Sequence, residues 1–350
     1  MKQAQRFEEK KMLDLSVIIC AHNPRRIYLD RVLNSLRLQT LPRERWELIV
    51  VDNASSKPVA EFCDLSWHSG GRHVFESELG LASARHRGIG AAAGRILVFV
   101  DDDNVLAPDY LEQVLRIANE CHYLGAWGSG SISLEYEVKP ASHLHHLLPW
   151  LAERHIERPI WSNARSCDEA APFGAGLCVR RFIAEAYVRY CKLSRIPITG
   201  RKGTSLGAHE DFEICYLACE AGLGMGIFPE LKILHLIAKS RVTDEHFVRL
   251  VEEVTMSKLV LANKWNGVLP KSPFSFRSAA STVLNLFTRR GFDRRVHFAE
   301  LRAVIGARRM LLKINGHEAP RQEETGRVRE LIASVMEQAK RQSEAAPSIQ

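Results

Sequence analysis

Short apolar runs alternate with amphipathic segments over the first hundred residues of the chain. Each run is too short for a buried helix, is rich in β-branched residues and is followed by turn-forming residues, which indicates a strand. Helical periodicity lies between them, at 27–38 and 81–93. Such alternation predicts an α/β fold, with a mostly parallel sheet and helices on both faces. The predicted strands are Leu15–Cys20, Trp46–Val51, His73–Phe75 and Arg95–Val100.

Three consecutive aspartates, Asp101, Asp102 and Asp103, directly follow the apolar run Ile96–Val100. Open α/β sheets bind ligands at the carboxyl ends of their strands. Adjacent carboxylates repel one another and raise each other's pKa unless a cation lies between them, so the cluster suggests a divalent metal. Taken alone, the same residues also fit a solvated acidic turn before a helix that begins near Pro108.

Composition excludes several classes of protein. At 350 residues, with 46% hydrophobic and 25% charged residues, the chain is globular rather than disordered. It has no apolar stretch of roughly 18 residues, and residues 1–14 lack the apolar segment of a signal peptide, so we expect a cytoplasmic protein. Eight scattered cysteines without a C-x-x-C pair predict reduced core thiols. A net charge of +7 suits an anionic partner but does not identify it.

Two motifs in the sequence are misleading. The pattern Gly88-x-Gly90-x-x-x-Gly94 looks like a dinucleotide fingerprint, but it precedes a strand, whereas the fingerprint follows one and opens a helix. We therefore expect these glycines to serve helix packing. The histidines of segment 139–172 suggest zinc, yet their spacing matches no ligand pattern and no cysteine partners accompany them.

The second half of the chain is less regular. Between the histidine-rich segment and the last long helix lies segment 194–208, whose glycines and basic residues are typical of a mobile loop that closes over phosphate. The remaining predicted elements are helices at 108–119, 210–221 and 243–264 and strands at 131–137, 173–179 and 226–236.

Basic residues dominate the C-terminal region. Between Arg277 and Lys313 there are nine Lys/Arg and two acids, interleaved with apolar residues, which predicts basic amphipathic helices over 275–320. These helices are either an accessory pair with a solvated basic face or a surface that adsorbs to an anionic membrane. Residues 321–350 are polar, and we expect a flexible tail there.

Six motifs together resemble glycosyltransferase family 2, which has the GT-A fold. The resemblance covers roughly residues 14–265, and the segment Leu234-His-Leu-Ile-Ala-Lys-Ser-Arg-Val-Thr243 is similar to a bacterial branch of the family. It implies a nucleotide-binding half at 15–107 and an acceptor half at 108–265, preceded by an N-terminal tail at 1–14. The motifs are Leu15-Ser-Val-Ile-Ile-Cys-Ala-His-Asn-Pro24, Val50-Val-Asp-Asn-Ala-Ser55, Gly80-Leu-Ala-Ser-Ala-Arg-His-Arg-Gly88, Val100-Asp-Asp-Asp-Asn104, Gly174-Ala-Gly176 and His209-Glu-Asp-Phe-Glu213.

The resemblance implies roles for the donor-binding residues. Asp103 would ligate Mn²⁺ or Mg²⁺ on the donor's diphosphate, and His235 would complete the metal shell, which favours Mn²⁺. Asp101, with Asp102 beside it, would face the ribose. The remaining predicted nucleotide contacts are Asp52, Asn53 and Arg85; many family members carry an acid in place of Asn53.

The resemblance also assigns the chemistry at the acceptor side. Asp211 would be the general base of an inverting transfer, because such a transfer needs a carboxylate opposite the leaving diphosphate. Glu210 would hold the acceptor. Arg201, Lys202 and Arg241 are further candidates for contact with the diphosphate. For Glu210 and Asp211, the alternative is a pair of helix N-terminal acids stabilised by the helix dipole.

These inferences predict an inverting, metal-dependent glycosyltransferase that moves a hexose-type sugar from a nucleoside-diphosphate donor to a glycan or a polyprenyl-diphosphate-linked acceptor. The setting implied by the resemblance is bacterial cell-surface or exopolysaccharide synthesis, with peripheral contact to the inner face of the plasma membrane and no nucleic-acid partner. A sugar nucleotidyltransferase of related fold and a non-catalytic scaffold are the alternatives. A sugar nucleotidyltransferase is expected to have a Gly-rich loop after the first strand, and this sequence lacks the glycines there. A non-catalytic scaffold would be expected to lose at least one of Asp103, Asp211 and His235.

Overall fold

Ten strands form one sheet in the computed structural model of the chain, which describes residues 13–272, 290–315, 326–327 and 330–337. The strands are β1 Leu15–Ala21, β2 Trp46–Asn53, β3 Gly71–Glu76, β4 Ile96–Asp101, β5 Asn104–Leu106, β6 Leu124–Tyr136, β7 Arg154–His155, β8 Ile160–Ser162, β9 Cys178–Arg180 and β10 Gly224–Ile237. The α-helices are α1 Arg26–Arg37, α2 Leu81–Ala91, α3 Tyr110–Glu120, α4 Arg181–Leu193, α5 Glu210–Glu220, α6 Asp244–Asn266 and α7 Gly291–Asn315.

The sheet has the order β3-β2-β1-β4-β9-β6-β10-β5, with β7 and β8 paired to β6 and β10 at its side. Strands β3, β2, β1 and β4 are parallel neighbours, as are β6 and β10. The short strand β9 runs antiparallel between β4 and β6. The predicted mostly parallel α/β sheet is confirmed.

Helices cover both faces of the sheet, which explains why the central strands read as continuous apolar runs. Along β1, Val17 and Ile19 belong to the core beneath α1 and α3, whereas Ile18 belongs to the core beneath α2, α4 and α5. Gly88 of α2 permits this packing, because a Cβ there would lie 2.5 Å from Cγ2 of Ile18. The predicted packing role is confirmed for Gly88 and wrong for Gly90, where a Cβ would meet nothing within 4 Å.

One local prediction was wrong, and two elements are absent from the predicted set. The strand predicted at 173–179 is a loop followed by the three-residue strand β9, because Gly176 adopts a left-handed φ of +71° that ends extended pairing. Helix α4, which has 13 residues, is the first of the two unpredicted elements. Segment 139–172 contains a 3₁₀ helix, Ser142–Leu151, whose Leu144, Leu147 and Leu151 are buried against α6 and α7.

Helix α7 packs along α6 through a line of buried small and apolar residues. Of the basic helices predicted over 275–320, residues 275–289 and 316–320 lie outside the described residues. Within the tail predicted to be flexible, residues 330–337 are instead helical, and Ile332 and Val335 are buried in the core beneath α4 and α5. The buried residues on the α6-facing side of α7 are Val296, Ala299, Ala303, Ala307 and Leu311.

The eight cysteines, all within the described part of the chain, are free thiols. Three of them, Cys63, Cys178 and Cys215, are buried, and the other five are partly buried. Among the helices of the described ranges, none combines the length and the hydropathy needed to cross a bilayer.

Candidate functional site

The predicted site residues lie where the parallel strands β1, β2 and β4 end. Asp52 and Asn53 close β2, and Asp101 is the last residue of β4. The chain then turns through Asp102 and Asp103 into β5, which pairs antiparallel with β10 so that Asn104 lies opposite His235. This register explains how residues more than a hundred positions apart come together. The backbone N–H of Leu236 donates to the carbonyl of Asp103 at 2.9 Å and fixes the turn.

Asp103 and His235 meet beside Arg241. Oδ2 of Asp103 lies 3.4 Å from Nε2 of His235, and Nη1 of Arg241 lies 3.0 Å from each of these two atoms. Nδ2 of Asn104 donates to the other carboxylate oxygen of Asp103 at 2.6 Å. Nδ1 of His235 lies 3.0 Å from the carbonyl oxygen of Leu151, so this nitrogen carries the ring proton and Nε2 is left as an acceptor.

The pair Asp103 and His235 has donor atoms that suit a divalent cation. A ring whose Nδ1–H is anchored on a backbone carbonyl presents Nε2 as a metal ligand does, and a carboxylate oxygen faces it. No group of three or more His, Cys, Asp or Glu side chains with ligand geometry occurs in the described residues. The protein would thus supply two ligands, and the donor's diphosphate and water would have to supply the rest.

The pKa values of Asp102 and Asp103 are shifted in opposite directions. Burial and the neighbouring Asp103 and Asp101 raise the pKa of Asp102 to about 8. Burial also acts to raise the pKa of Asp103, but His235 and Arg241 outweigh it and hold that pKa well below its ordinary value. The cluster therefore keeps Asp103 ionised and holds a proton on Asp102 near neutral pH when no further cation is present.

Asp211 and Glu210 begin helix α5, with His209 before them at a φ of +76°. Oδ2 of Asp211 accepts the backbone N–H of Gly174 at 2.6 Å, and Oδ1 accepts that of Phe212 at 2.9 Å. Two backbone bonds hold the carboxylate in one orientation.

Arg85 connects Glu210 to the rest of the site. Its Nη1 donates to Oε1 of Glu210 at 2.9 Å, and both side chains are almost fully buried. The other carboxylate oxygen of Glu210 has no hydrogen-bond partner among the described residues. Burial raises the pKa of Glu210 to about 7; Arg85 acts in the opposite direction and Asp211 adds to the rise. The charge of Arg85 also interacts with Asp101 and Asp211. One buried cation therefore interacts with a carboxylate at the end of β4 and with the carboxylates that begin α5.

Asp52 and Asn53 are engaged with backbone groups. Asp52 accepts the backbone N–H groups of Ser55 and Val59, each at 3.0 Å. Asn53 accepts the N–H of Gly80 at 2.8 Å and donates to the carbonyl of Glu78 at 2.7 Å. Both side chains hold the loops that they contact, and their contact with a nucleotide stays a prediction.

The basic segment 194–208 lies between α2 and α6. The carbonyl of Arg201 accepts the N–H of Leu81 at 2.8 Å, and Oγ of Ser205 donates to Glu253 at 2.7 Å. Gly200 has a φ of +63°, and a Cβ there would lie 2.7 Å from Oε2 of Glu210. Arg201 is exposed, and its charge acts on Asp102, Asp103 and Glu210.

Two residues near the site, Arg154 and Tyr110, are not among the site residues predicted from the sequence. Arg154 donates to the carbonyl of Ala171 at 3.1 Å, stacks 3.6 Å above the ring of Phe173, and interacts electrostatically with Asp211. Tyr110 donates to the carbonyl of Gly176 at 2.9 Å and so supports the loop that holds Asp211. Arg154 lies in an irregular segment without periodicity, and Tyr110 reads as an ordinary apolar position of α3.

Part of the chain is similar to known glycosyltransferases. Residues 16–165 match the family model described as glycosyl transferase family 2. The chain is 28% identical over 143 residues to the putative glycosyltransferase EpsH of Bacillus subtilis (strain 168), covering 37% of this chain and 41% of that protein. It is 35% identical over 105 residues to validoxylamine A glucosyltransferase of Streptomyces hygroscopicus subsp. jinggangensis, covering 29% of this chain and 24% of that protein.

A third relative, poly(ribitol-phosphate) beta-N-acetylglucosaminyltransferase TarS of Staphylococcus aureus, is 26% identical over 114 residues, which is 32% of this chain and 20% of that protein. The crystal structure of S. aureus TarS 1–349 in complex with UDP-GlcNAc aligns with a TM-score of 0.47 at 15% identity, over 86% of this chain and 92% of that one. The chain thus spans less than half the length of these curated relatives.

Proposed function

We propose that the protein is an inverting, metal-dependent glycosyltransferase that moves a hexose-type sugar from a nucleoside-diphosphate donor to a glycan or lipid-linked acceptor. The observation that carries the proposal is the position of Arg85. It pairs with Glu210 and interacts electrostatically with Asp211 and Asp101, which supports a single site for the predicted acceptor-side and donor-side acids.

The residues divide the chemistry as follows. Asp103 and His235 would hold Mn²⁺ or Mg²⁺, which would neutralise charge on the departing diphosphate. Asp211 takes the proton of the acceptor hydroxyl as its oxygen forms a bond to the anomeric carbon. The bond from that carbon to the diphosphate oxygen breaks, and the electron pair leaves with the nucleoside diphosphate. Attack from the side opposite the leaving group inverts the anomeric configuration.

Glu210 and Arg201 complete the proposed site. The free, buried oxygen of Glu210 suits a hydrogen bond to the acceptor, and its raised pKa allows that oxygen to carry a proton near pH 7. Arg201 is exposed and its charge acts on Asp103, which suits a contact with the diphosphate. Asp52, Asn53 and Asp101 would contact the base and ribose at the ends of β2 and β4.

The acceptor class draws support from the relatives. TarS is named for transfer to poly(ribitol-phosphate), and EpsH is named as a putative glycosyltransferase of a bacterium. The name of TarS supports a polymeric, glycan-type acceptor, and we propose bacterial surface or exopolysaccharide synthesis as the setting.

Calorimetric titration with UDP, GDP, CDP and dTDP, with and without Mn²⁺, tests this function. We expect one nucleotide to bind, at least tenfold more tightly with Mn²⁺, and Asp103→Asn to remove that dependence. Sugar-nucleotide hydrolysis across a donor panel then identifies the sugar. Preference for the triphosphate would favour the nucleotidyltransferase alternative, and absence of metal-dependent nucleotide binding would favour the scaffold.

We further propose that α7 adsorbs to an anionic bilayer. Its outer side exposes Phe298, Ile305 and Leu312 at intervals of seven residues, so the three apolar side chains follow one line along the helix. Arg294, Arg309 and Lys313 are exposed on the same helix, and none pairs with a carboxylate in the described part of the chain. An apolar line flanked by unpaired cations suits the interface of an anionic membrane.

Co-sedimentation with vesicles of phosphatidylglycerol and phosphatidylcholine tests the membrane contact. We expect binding at low salt that Arg294→Glu/Arg309→Glu/Lys313→Glu abolishes. The charge-matched control, Arg26→Glu/Arg37→Glu/Lys57→Glu, changes exposed residues far along the chain and should retain binding. Failure of the wild-type protein to sediment with these vesicles would refute the membrane contact and leave the transferase proposal intact.

A further inference from the structure

Arg241 lies where a metal ion between Asp103 and His235 would have to bind. Its Nη1 is 3.0 Å from Oδ2 of Asp103 and 3.0 Å from Nε2 of His235. A guanidinium Nη carries two hydrogens, so this nitrogen can donate one to each acceptor. The side chain of Arg241 is mostly buried, with 16% of its surface exposed.

Arg241 brings a permanent positive charge to this cluster, because a guanidinium stays charged in proteins. Nδ1 of His235 lies 3.0 Å from the carbonyl oxygen of Leu151, and Nε2 faces Nη1 of Arg241 at 3.0 Å. The carboxylate of Asp103 lies 3.4 Å from the same ring nitrogen and faces the same guanidinium.

We propose that Arg241 is a built-in counter-cation, which fills the place of the divalent ion in the free protein and must leave when that ion binds. This inference rests on the proposed metal-dependent function. A metal ion held by His235 would bind through the lone pair of Nε2, which now faces Arg241. The guanidinium and the ion therefore compete for the same two atoms.

The surroundings of Arg241 favour its movement when the donor binds. Burial and the nearby charge of Arg201 both act to lower the pKa of Arg241, so Arg241 is already near another cation. Arg241 ends the short 3₁₀ segment Lys239–Arg241 ahead of α6, and its backbone N–H is bonded to Ala238. Its side chain can thus change partner without unfolding a helix. A diphosphate would offer the guanidinium new acceptors beside the metal.

Competition of this kind makes metal binding depend on the diphosphate. Without a diphosphate, the ion must displace Arg241 from Asp103 and leave it unpaired. With a diphosphate bound, Arg241 moves from the carboxylate of Asp103 to phosphate oxygens, and binding of the metal ion costs less free energy. Binding of the metal ion and binding of the diphosphate are then coupled through Arg241.

Mn²⁺ binding to the full-length protein, followed by calorimetry and by electron paramagnetic resonance of free Mn²⁺, tests the inference. We expect Arg241→Met to bind Mn²⁺ alone at least tenfold more tightly than the wild type. Saturating inorganic pyrophosphate should tighten Mn²⁺ binding strongly in the wild type and much less in the variant. Arg241→Lys, which keeps the charge, should stay close to the wild type and guards against a folding defect in Arg241→Met.

Arg249→Met is the matched control, because it removes one positive charge from α6 at a side chain that contacts Thr204 and Glu253 rather than Asp103. Equal tightening in both variants would mean long-range electrostatics and would overturn the inference. Unchanged or weaker Mn²⁺ binding in Arg241→Met would also overturn it, while Asp103-dependent metal binding in the wild type would leave the proposed function standing. If no variant bound Mn²⁺ even with pyrophosphate, both proposals would fail together.

Discussion

Arg85 on α2 and Glu210 at the start of α5 form a buried ion pair across 125 positions of sequence, with Nη1 and Oε1 2.9 Å apart and only 2% and 5% of the side chains exposed. Burial acts to lower the pKa of Arg85, but Glu210, Asp101 and Asp211 outweigh it, so that pKa lies above its ordinary value. The guanidinium is therefore a fixed charge around which the carboxylates of the site are arranged.

Replacing this cation should destabilise the fold strongly. Arg85→Met leaves Glu210 buried without its partner, and breaking a buried pair in this way costs about 3–5 kcal/mol. Urea unfolding followed by circular dichroism measures the change. Arg87→Met, at an exposed position two residues along α2, should stay within about 0.5 kcal/mol of the wild type. A loss below about 1 kcal/mol in Arg85→Met would mean that the pair is not formed.

Gly174 should tolerate no side chain. A Cβ there would lie 2.5 Å from Nη2 of Arg85 and 3.4 Å from Oδ2 of Asp211. Gly174→Ala should cost about 1–3 kcal/mol of stability and reduce donor cleavage, because both charged groups must shift. Gly90→Ala is its control: a Cβ at Gly90 meets nothing within 4 Å, and alanine inside a helix should stabilise by about 0.5–1 kcal/mol. The idea fails if thermal unfolding shows the two variants to be alike.

Asp211→Asn should slow the chemical step strongly and leave the binding of the nucleoside diphosphate nearly unchanged. The amide keeps the shape of the carboxylate but cannot accept the acceptor's proton, so kcat should fall by about 10²–10⁴. Affinity for the nucleoside diphosphate should stay within about twofold. Glu220→Gln, at the other end of the same helix, removes an equal charge and should change neither quantity. A variant Asp211→Asn with undiminished kcat would exclude this residue as the base.

Asp102 should make stability fall as pH rises. Its pKa in the folded chain is about 8, above the ordinary value of 3.8, so the folded state holds a proton that the unfolded state releases. This stability is fully present below about pH 4 and is lost as pH rises through 8.

Asp102→Asn carries no such proton, so its stability relative to the wild type should increase between pH 5 and pH 8.5 by at least about 1 kcal/mol. Urea unfolding at the two pH values, without metal, measures the difference. The same relative stability at both pH values would show that Asp102 ionises freely in the folded protein.

The sheet and the clustering of the site could be predicted because both depend on patterns within single segments. Apolar runs ending in Asp52 and Asp101 identify strands and their carboxyl ends, and a parallel sheet then brings those ends to one edge. The motif resemblance added Asp211 and His235, which lie on segments whose position no local pattern gives.

What could not be predicted depends on contacts between distant segments. Arg241 occupies the space between Asp103 and His235 only because β5 and β10 pair in the observed register, and no spacing in the sequence encodes that register. Arg154, on the two-residue strand β7, interacts electrostatically with Asp211, and Phe173 lies in a loop rather than a strand because Gly176 adopts a positive φ. These are properties of tertiary packing, which outweighs local preference.

The most direct test of the proposed chemistry is proton NMR of the sugar released from a cleaved donor, recorded before the anomers equilibrate. We expect the first product to have the anomeric configuration opposite to that of the donor. Its formation should require Mn²⁺ or Mg²⁺, and Asp211→Asn should not form it. A first product with the donor's own configuration, or equal cleavage by Asp211→Asn, would contradict it.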